Sequence, residues 1–201
     1  MSAFPDTPIT LLTKMVSRVT GESETSWTAF FNLYRPVIGR FAVGVGAKGD
    51  VDDIVQEVFA KLVEVFRNGS YCREKGRFRA YLATLIRNEV INRWHKAEVR
   101  AANRHVSLDN DGSPLEIGVP SETAAILDAK WRLARHAAAT EHVLTKTALS
   151  QRSKDVYRAY VQEARSIDAV ARAFDMPKNS VSQIKTRVER MIADYEAMFV
   201  D

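Results

Sequence analysis

Nearly every run of apolar residues in this chain repeats with the spacing of an α-helix. No run alternates with the period of two that a half-buried strand requires. The clearest run lies in residues 50–66, DVDDIVQEVFAKLVEVF, where the apolar positions recur every three or four residues. Because helical stripes of this kind can be buried only by packing helices on one another, the sequence predicts an all-α fold.

Two helical domains are expected rather than one. Residues 106–121, VSLDNDGSPLEIGVPS, are rich in Asp, Asn, Gly, Ser and Pro, a composition typical of a linker. We therefore predict an N-terminal domain at residues 1–104, a flexible linker at 105–122 and a C-terminal domain at 123–201. The chain has 201 residues, enough for two small domains that each have a core.

Several classes of protein are disfavoured by composition. The single cysteine, Cys72, cannot form an internal disulfide and fits a reducing compartment. No apolar run approaches the roughly 20 residues that span a bilayer, and the first residues lack the layout of a secretory signal. We therefore expect a cytoplasmic protein. The four histidines show no metal-ligand spacing, and neither a P-loop nor a nucleophile elbow occurs, so we expect no cofactor and no enzyme.

A glycine motif precedes the clearest helix. Residues 44–49, GVGAKG, spell G-x-G-x-x-G, which in dinucleotide-binding proteins follows a strand and opens a helix at the pyrophosphate. Here the preceding residues, FNLYRPVIGRFAV, have helical spacing. The first turn that follows carries Asp52 and Asp53, which would repel a phosphate. The glycines therefore predict a helix–helix turn, with Asp50 capping the next helix and Asp53 at its third position.

Charge is distributed unevenly along the first domain. Residues 50–66 carry a net charge of −4 and residues 67–104 a net charge of +7, although the whole chain is only +4. The basic segment is interleaved with Tyr71, Phe78, Tyr81 and Trp94. Cations that follow a phosphate backbone and rings on which bases stack are typical of single-stranded nucleic-acid binding. Alternatively, the rings belong to the core and the cations are solvated; we favour the core for Phe78 and exposure for Tyr71.

The strongest motif is near the end of the chain. In residues 166–192, SIDAVARAFDMPKNSVSQIKTRVERMI, Ser166 can cap a short helix that Asp175 and Pro177 end. A second helix would bury Val181, Ile184, Val188 and Met191. Its other faces offer amides and hydroxyls for base edges and cations for phosphates, as in a helix-turn-helix. The alternative is an ordinary helical hairpin with a solvated polar face. The polar residues are Lys178, Asn179, Ser182, Gln183, Thr186, Arg187 and Arg190.

Taken in order, DVDDIVQEVFAKLVEVF, KGRFRAYLATLIRNEVINRWHK and SIDAVARAFDMPKNSVSQIKTRVER resemble the extracytoplasmic-function (ECF) group of bacterial RNA polymerase sigma factors, in the sigma-70 family. The resemblance extends over residues 27–192. It implies a promoter-specificity subunit that binds core RNA polymerase and promoter DNA and initiates transcription. The chain departs from the family pattern in three places, since the family usually has Asp at Asn92, often Gly at Asp175 and often Gly near Ala164–Arg165.

The resemblance also implies which residues form each contact. Docking on the clamp helices of the largest polymerase subunit would involve Asp52, Asp53, Gln56 and Glu57. The −10 element would be opened and held by Tyr71, Arg73, Lys75, Arg77 and Arg79, with Arg87, Asn88, Asn92 and Arg93 facing duplex or the fork. The −35 element would be read by Lys178, Asn179, Ser180, Ser182, Gln183, Lys185 and Arg187. Residues 149–164 would bind the polymerase flap.

An anti-sigma factor is common in the family, although nothing in this sequence encodes one. The alternative function is a two-domain helix-turn-helix regulator that acts without replacing sigma. Such a regulator would bind duplex DNA tightly without polymerase, and its acidic helix would have no defined partner.

Overall fold

The computed structural model describes residues 20–49, 51–68, 77–102 and 121–199. These residues form seven α-helices and one short π-helix, and none of them is in a strand, which confirms the all-α prediction. The helices are α1 (Thr20–Gly44), α2 (Val51–Arg67), α3 (Phe78–Ala102), α4 (Ser121–Lys146), α5 (Gln151–Tyr157), the π-helix (Arg158–Gln162), α6 (Ile167–Ala173) and α7 (Lys178–Glu196).

The described residues fall into two compact units. The first extends to Ala134 and the second comprises Arg135–Phe199, so the division lies within α4. Residues 105–120 of the expected linker lie outside the described residues, and its last two residues belong to α4. The division into domains at 104 and 123 stays a prediction.

An aromatic cluster forms the core of the first unit, where α1, α2 and α3 pack on one another. Phe30 and Tyr34 are fully buried and their rings stack with centroids 4.4 Å apart. Phe59 and Phe78 meet Phe30 edge-on at 6.0 and 5.9 Å. Such pairs add about 0.5–1.5 kcal/mol each beyond the burial of their area. The burial of Phe78 confirms that this ring belongs to the core.

The apolar stripe of α2 points into this core along its whole length. Its buried residues are Ile54, Val55, Val58, Phe59, Leu62 and Phe66, and Val63 is half-buried. The predicted stripe is therefore confirmed, and Gln56, Glu57 and Glu64 between its members are exposed.

The glycine motif forms the turn between α1 and α2. The end of α1 is closed by hydrogen bonds from Val45 N to Phe41 O (2.9 Å) and from Ala47 N to Ala42 O (2.8 Å). Gly46 has a φ of 102°, in the region that favours glycine. A helix precedes the motif, so the predicted helix–helix turn is confirmed. The predicted cap, Asp50, lies outside the described residues.

The second unit has two adjoining apolar clusters. One joins the second half of α4 to α7 and contains Ala139, Val143, Leu144, Leu149, Tyr157, Val188 and Ile192. The other joins α5, the π-helix, α6 and α7, and contains Val156, Ala159, Val170, Ala171 and Val181. Ser166 caps α6 as predicted, with its Oγ accepting from Ala169 N at 3.2 Å. The short helices α5 and α6 are thereby packed against α7.

Candidate polymerase and nucleic-acid interface

The predicted polymerase-docking residues share one exposed face of α2. Asp52, Asp53, Gln56 and Glu57 are all exposed, and the spacing i, i+1, i+4, i+5 places them opposite the buried stripe. Arg35 of α1 donates to Asp52, with Nη2 2.9 Å from Oδ1. Both side chains of this pair are more than half exposed, so the pair contributes little stability and leaves the carboxylate accessible.

Asp53 makes the second contact of this face. Its Oδ2 lies 3.4 Å from Nη1 of Arg93 on α3. The structure thus brings together one residue predicted to contact polymerase and one predicted to contact DNA. Because both side chains are partly solvated, a partner can replace either of them at a cost of about 1 kcal/mol or less.

The residues predicted for the −10 element differ in their exposure, and three of them lie outside the described residues. Tyr71, Arg73 and Lys75 lie outside the described residues. Arg77 is exposed just before α3 begins, and Asn92 is exposed near the middle of that helix. The remaining members are half-buried on α3: Arg79, Arg87, Asn88 and Arg93.

Arg79 is covered by a residue that the sequence analysis did not single out. Its Nη2 lies 2.9 Å from Oδ1 of Asp128 in α4, and its side chain is only 16% exposed. Beside Asp128, the first half of α4 buries Leu127 and Trp131 within the same unit, with the Trp131 ring 5.6 Å from that of Phe41. Arg79 is therefore already neutralised by an acid of its own chain. The nearest sequence signal was the stripe Leu127, Trp131 and Ala134, which marks that part of α4 as buried.

A second ionic contact across the helices was also missed. Glu89 of α3 is only 7% exposed, and Lys61 of α2 donates from Nζ to its Oε1. A buried carboxylate is tolerated when a cation and hydrogen bonds accompany it. The pair therefore ties the helix with the acidic face to the helix with the basic residues. The sequence feature that could have indicated this pair is the position of Glu89. It is an acidic residue on the buried side of α3, next to the buried Val90 and three residues after the buried Ile86.

The residues predicted for the −35 element lie at the start of α7 and along it. Lys178, Asn179, Gln183 and Arg187 are exposed, whereas Ser180, Ser182 and Lys185 are half-buried. A shallow, open concavity runs along this face and is lined by Asn179, Ser182, Gln183, Thr186, Arg187 and Arg190. Two of the cations have acidic neighbours, since Lys178 pairs with Asp168 and Lys185 lies 3.5 Å from Glu189. The face thus presents amide, hydroxyl and guanidinium groups together.

Residues 30–100 match the family model of sigma-70 region 2. The match supports the interpretation that this segment is part of a sigma-70 family factor. Region 2 of these factors binds core RNA polymerase and promoter DNA and acts in promoter melting. Its family consists of non-enzymatic initiation factors, in agreement with the expectation that the chain is not an enzyme. No curated protein and no solved structure matches the chain.

The region 2 match includes most of α1, all of α2 and most of α3. The exposed acidic face and the basic residues of α3 both lie within it. The polar face of α7 lies outside residues 30–100, so its role in reading DNA stays a prediction.

No group of three or more His, Cys, Asp and Glu side chains among the described residues could hold a metal ion. Within the same residues, none of the helices is both long and apolar enough to cross a bilayer.

Proposed function

We propose that this chain is an ECF-type sigma factor, the subunit that directs bacterial RNA polymerase to promoters through a −10 and a −35 element. The observation that carries the proposal is the region 2 match, within which four polar residues of α2, three of them carboxylates, are exposed beside the basic side of α3. Opposite charges on neighbouring helices favour two partners, one basic protein and one nucleic acid.

The acidic face of α2 would dock on polymerase. Asp52, Asp53, Gln56 and Glu57 would meet basic residues of the clamp helices, and complementary charge would fix the orientation and speed the encounter. Their existing partners, Arg35 and Arg93, are solvated enough to be displaced.

The −10 element would be opened along the segment that leads into α3. Unstacking a base costs a few kcal/mol, which stacking on a ring such as Tyr71 and contacts from cations can offset. Arg73, Lys75, Arg77 and Arg79 would follow the opened strand. Arg87, Asn88, Asn92 and Arg93 would face the duplex or the fork.

The −35 element would be read by α7 acting as the recognition helix. Asn179 and Gln183 can form paired hydrogen bonds with a base edge, while Arg187 can bind phosphate or guanine. Residues 149–164 would contact the polymerase flap. Because polymerase would hold both DNA-binding segments at once, each needs only weak affinity alone. Such a subunit would act in the cytoplasm, where it could also meet an anti-sigma factor.

Transcription reconstituted from core polymerase, genomic DNA fragments and the purified chain tests the proposal. We expect new transcription start sites that appear only when the chain is present. The double variant Asp53→Lys/Glu57→Lys should lose binding to core polymerase by about tenfold or more while keeping its helical circular dichroism, because like charges would then meet at the interface. A control, Glu141→Lys/Asp194→Lys, changes the charge equally at exposed positions of the second unit.

Two outcomes would contradict the proposal. If the chain never directs core polymerase to a new start site, it is not a sigma factor. If it binds duplex DNA as tightly without polymerase as with it, the two-domain regulator explains it instead.

A further inference from the structure

Arg152 of α5 reaches the turn between α6 and α7. Its Nη2 donates to the backbone carbonyl of Phe174 and lies 3.3 Å from that of Asp175. Phe174 is the C-terminal cap of α6. The last carbonyls of a helix lack partners within it and carry partial negative charge, so a guanidinium there is favourable.

The turn that Arg152 contacts is tight and conformationally costly. Asp175 has a φ of 45°, a left-handed conformation that residues other than glycine rarely adopt, although Asp tolerates it better than most. The turn is closed by a hydrogen bond from Met176 N to Ala171 O at 3.0 Å. Pro177 then caps α7, which begins at Lys178. A few backbone angles between Phe174 and Pro177 therefore determine the direction in which α7 leaves the turn.

Other contacts also hold α6 and α7 together. Val170 and Ala171 pack against Val181 in the core, Phe174 and Met176 of the turn pack against the same cluster, and Asp168 in the first turn of α6 pairs with Lys178 in the first turn of α7. These contacts are made by side chains and do not involve the backbone carbonyls of Phe174 and Asp175. Arg152 contacts those carbonyls from a third helix, α5.

We propose that Arg152 is a positioning residue for sequence reading by α7. It holds the strained turn in one conformation and so fixes where Asn179 and Gln183 point, without touching a base itself. This inference rests on the proposed reading of the −35 element by α7. Beyond that proposal, it says that Arg152 influences promoter choice indirectly, by restraining the backbone of the turn before α7.

A direct phosphate contact by Arg152 is one rival explanation, and it makes different predictions. A flap contact is another, because Arg152 lies within residues 149–164; its loss would weaken assembly with core polymerase, whereas loss of a positioning residue leaves that assembly unchanged. Phosphate contacts carry no sequence information, so their loss weakens binding to all sequences alike and reduces the salt dependence. Loss of a positioning residue lowers affinity for the preferred sequence selectively. It leaves the number of phosphate contacts, and hence the salt dependence, unchanged.

The experiment uses holoenzyme assembled from core polymerase and the full chain. The wild-type holoenzyme first selects an upstream element from a duplex library randomised at that position. Binding is then measured to the selected duplex and to one in which the element is scrambled. For Arg152→Ala we expect about a fivefold or greater loss on the selected duplex, comparable to losing one base contact, and less than twofold on the scrambled one.

Two further variants make the comparison specific. Arg172→Ala removes the same charge beside the same turn, but the Arg172 Nε donates within α6, to Asp168 O at 3.3 Å. We expect it to keep the wild-type discrimination ratio. Arg152→Lys keeps one donor group for the turn carbonyls. Its discrimination ratio should therefore lie between those of wild type and Arg152→Ala. All variants are compared well below their unfolding temperatures.

The outcomes, together with the assembly of Arg152→Ala with core polymerase, separate the three hypotheses. An equal loss on both duplexes with a shallower salt dependence makes Arg152 a phosphate contact and overturns the inference, as does a discrimination ratio equal to that of Arg172→Ala. If the wild-type holoenzyme selects no upstream element, the proposed −35 reading fails and the positioning role fails with it.

Discussion

At Gly46, an added side chain would meet two separate obstacles. The φ of 102° is unfavourable for any residue with a Cβ, and a Cβ placed there would lie 2.8 Å from Cζ2 of Trp94. We therefore expect Gly46→Ala to lower the free energy of unfolding by about 1–3 kcal/mol. Gly44 ends α1 and has nothing within 4 Å of its would-be Cβ. Gly44→Ala should raise the free energy of unfolding by about 0.4–1 kcal/mol, and equal urea midpoints for the two variants would contradict this account.

His142 should make stability depend on pH. Burial and the nearby Lys146 charge lower its pKa, and its ring stacks on Tyr195 with centroids 4.1 Å apart. The unfolded chain takes up this proton near pH 6.5, whereas the folded chain does so at a lower pH. The stability contributed by the neutral ring is therefore complete above pH 6.5 and is lost as the pH falls from there through the folded pKa.

His142→Phe should remove this dependence, because phenylalanine can keep the stack but cannot titrate. Between pH 7.5 and 5.5 we expect wild type to lose more unfolding free energy than His142→Phe. His136 is present in both proteins and cancels in the comparison. Superimposable pH profiles would show that His142 titrates alike in both states.

At the scale of helices, the ion pair between Lys61 and Glu89 joins α2 to α3. Removing the lysine would leave a carboxylate that is only 7% exposed without its cation. We expect Lys61→Met to destabilise the chain by about 1–3 kcal/mol and Lys61→Met/Glu89→Leu to recover part of the loss. Arg35→Met breaks the exposed pair with Asp52 and should cost less than about 1 kcal/mol. Chemical unfolding of the four proteins checks this order, and equal losses from the two single variants would refute it.

The contact between Arg79 and Asp128 predicts a gain of function. If Arg79 follows the opened strand as proposed, its guanidinium must leave Asp128, whose Oδ1 now lies 2.9 Å from Nη2. Asp128→Asn should therefore raise the affinity for a short fluorescent single strand of promoter sequence by about two- to fivefold at low salt. Asp194→Asn removes the same charge at an exposed site of the second unit and serves as the control. A gain that persists in Arg79→Ala/Asp128→Asn would show that Asp128 acts by another route.

These helices also show which features can be predicted from the sequence and which cannot. The stripe of α2 was predicted because its seven apolar residues lie within one continuous segment, and the cap at Ser166 because its partner lies three residues away. The pairs Lys61–Glu89 and Arg79–Asp128 were not predicted, since their members lie 28 and 49 positions apart in the sequence. Which charges meet across helices depends on packing angles that a local pattern does not contain. The exposure of Asp52 and Asp53, by contrast, followed directly from the period of α2.

For the whole molecule, the small net charge of +4 conceals segments of opposite sign that serve different proposed partners. If α7 contacts duplex phosphates while α2 docks on polymerase, removing cations from α7 must change the salt dependence of promoter binding without changing assembly with core polymerase. The two effects can then be measured separately in one holoenzyme.

Replacing Lys185 and Arg187 by Ala should make the plot of log affinity against log salt concentration less steep by about 1–2, since each phosphate contact contributes about 0.9. Arg187 is exposed, whereas Lys185 is half-buried near Glu189, so most of the change should come from Arg187. Lys130→Ala/Lys146→Ala removes equal charge from positions with no proposed DNA contact and should leave the slope within about 0.5 of wild type. Filter binding of the holoenzymes to one promoter at increasing potassium chloride measures the slopes. A slope for Lys185→Ala/Arg187→Ala equal to that of the control would place α7 away from DNA and confine promoter recognition to region 2.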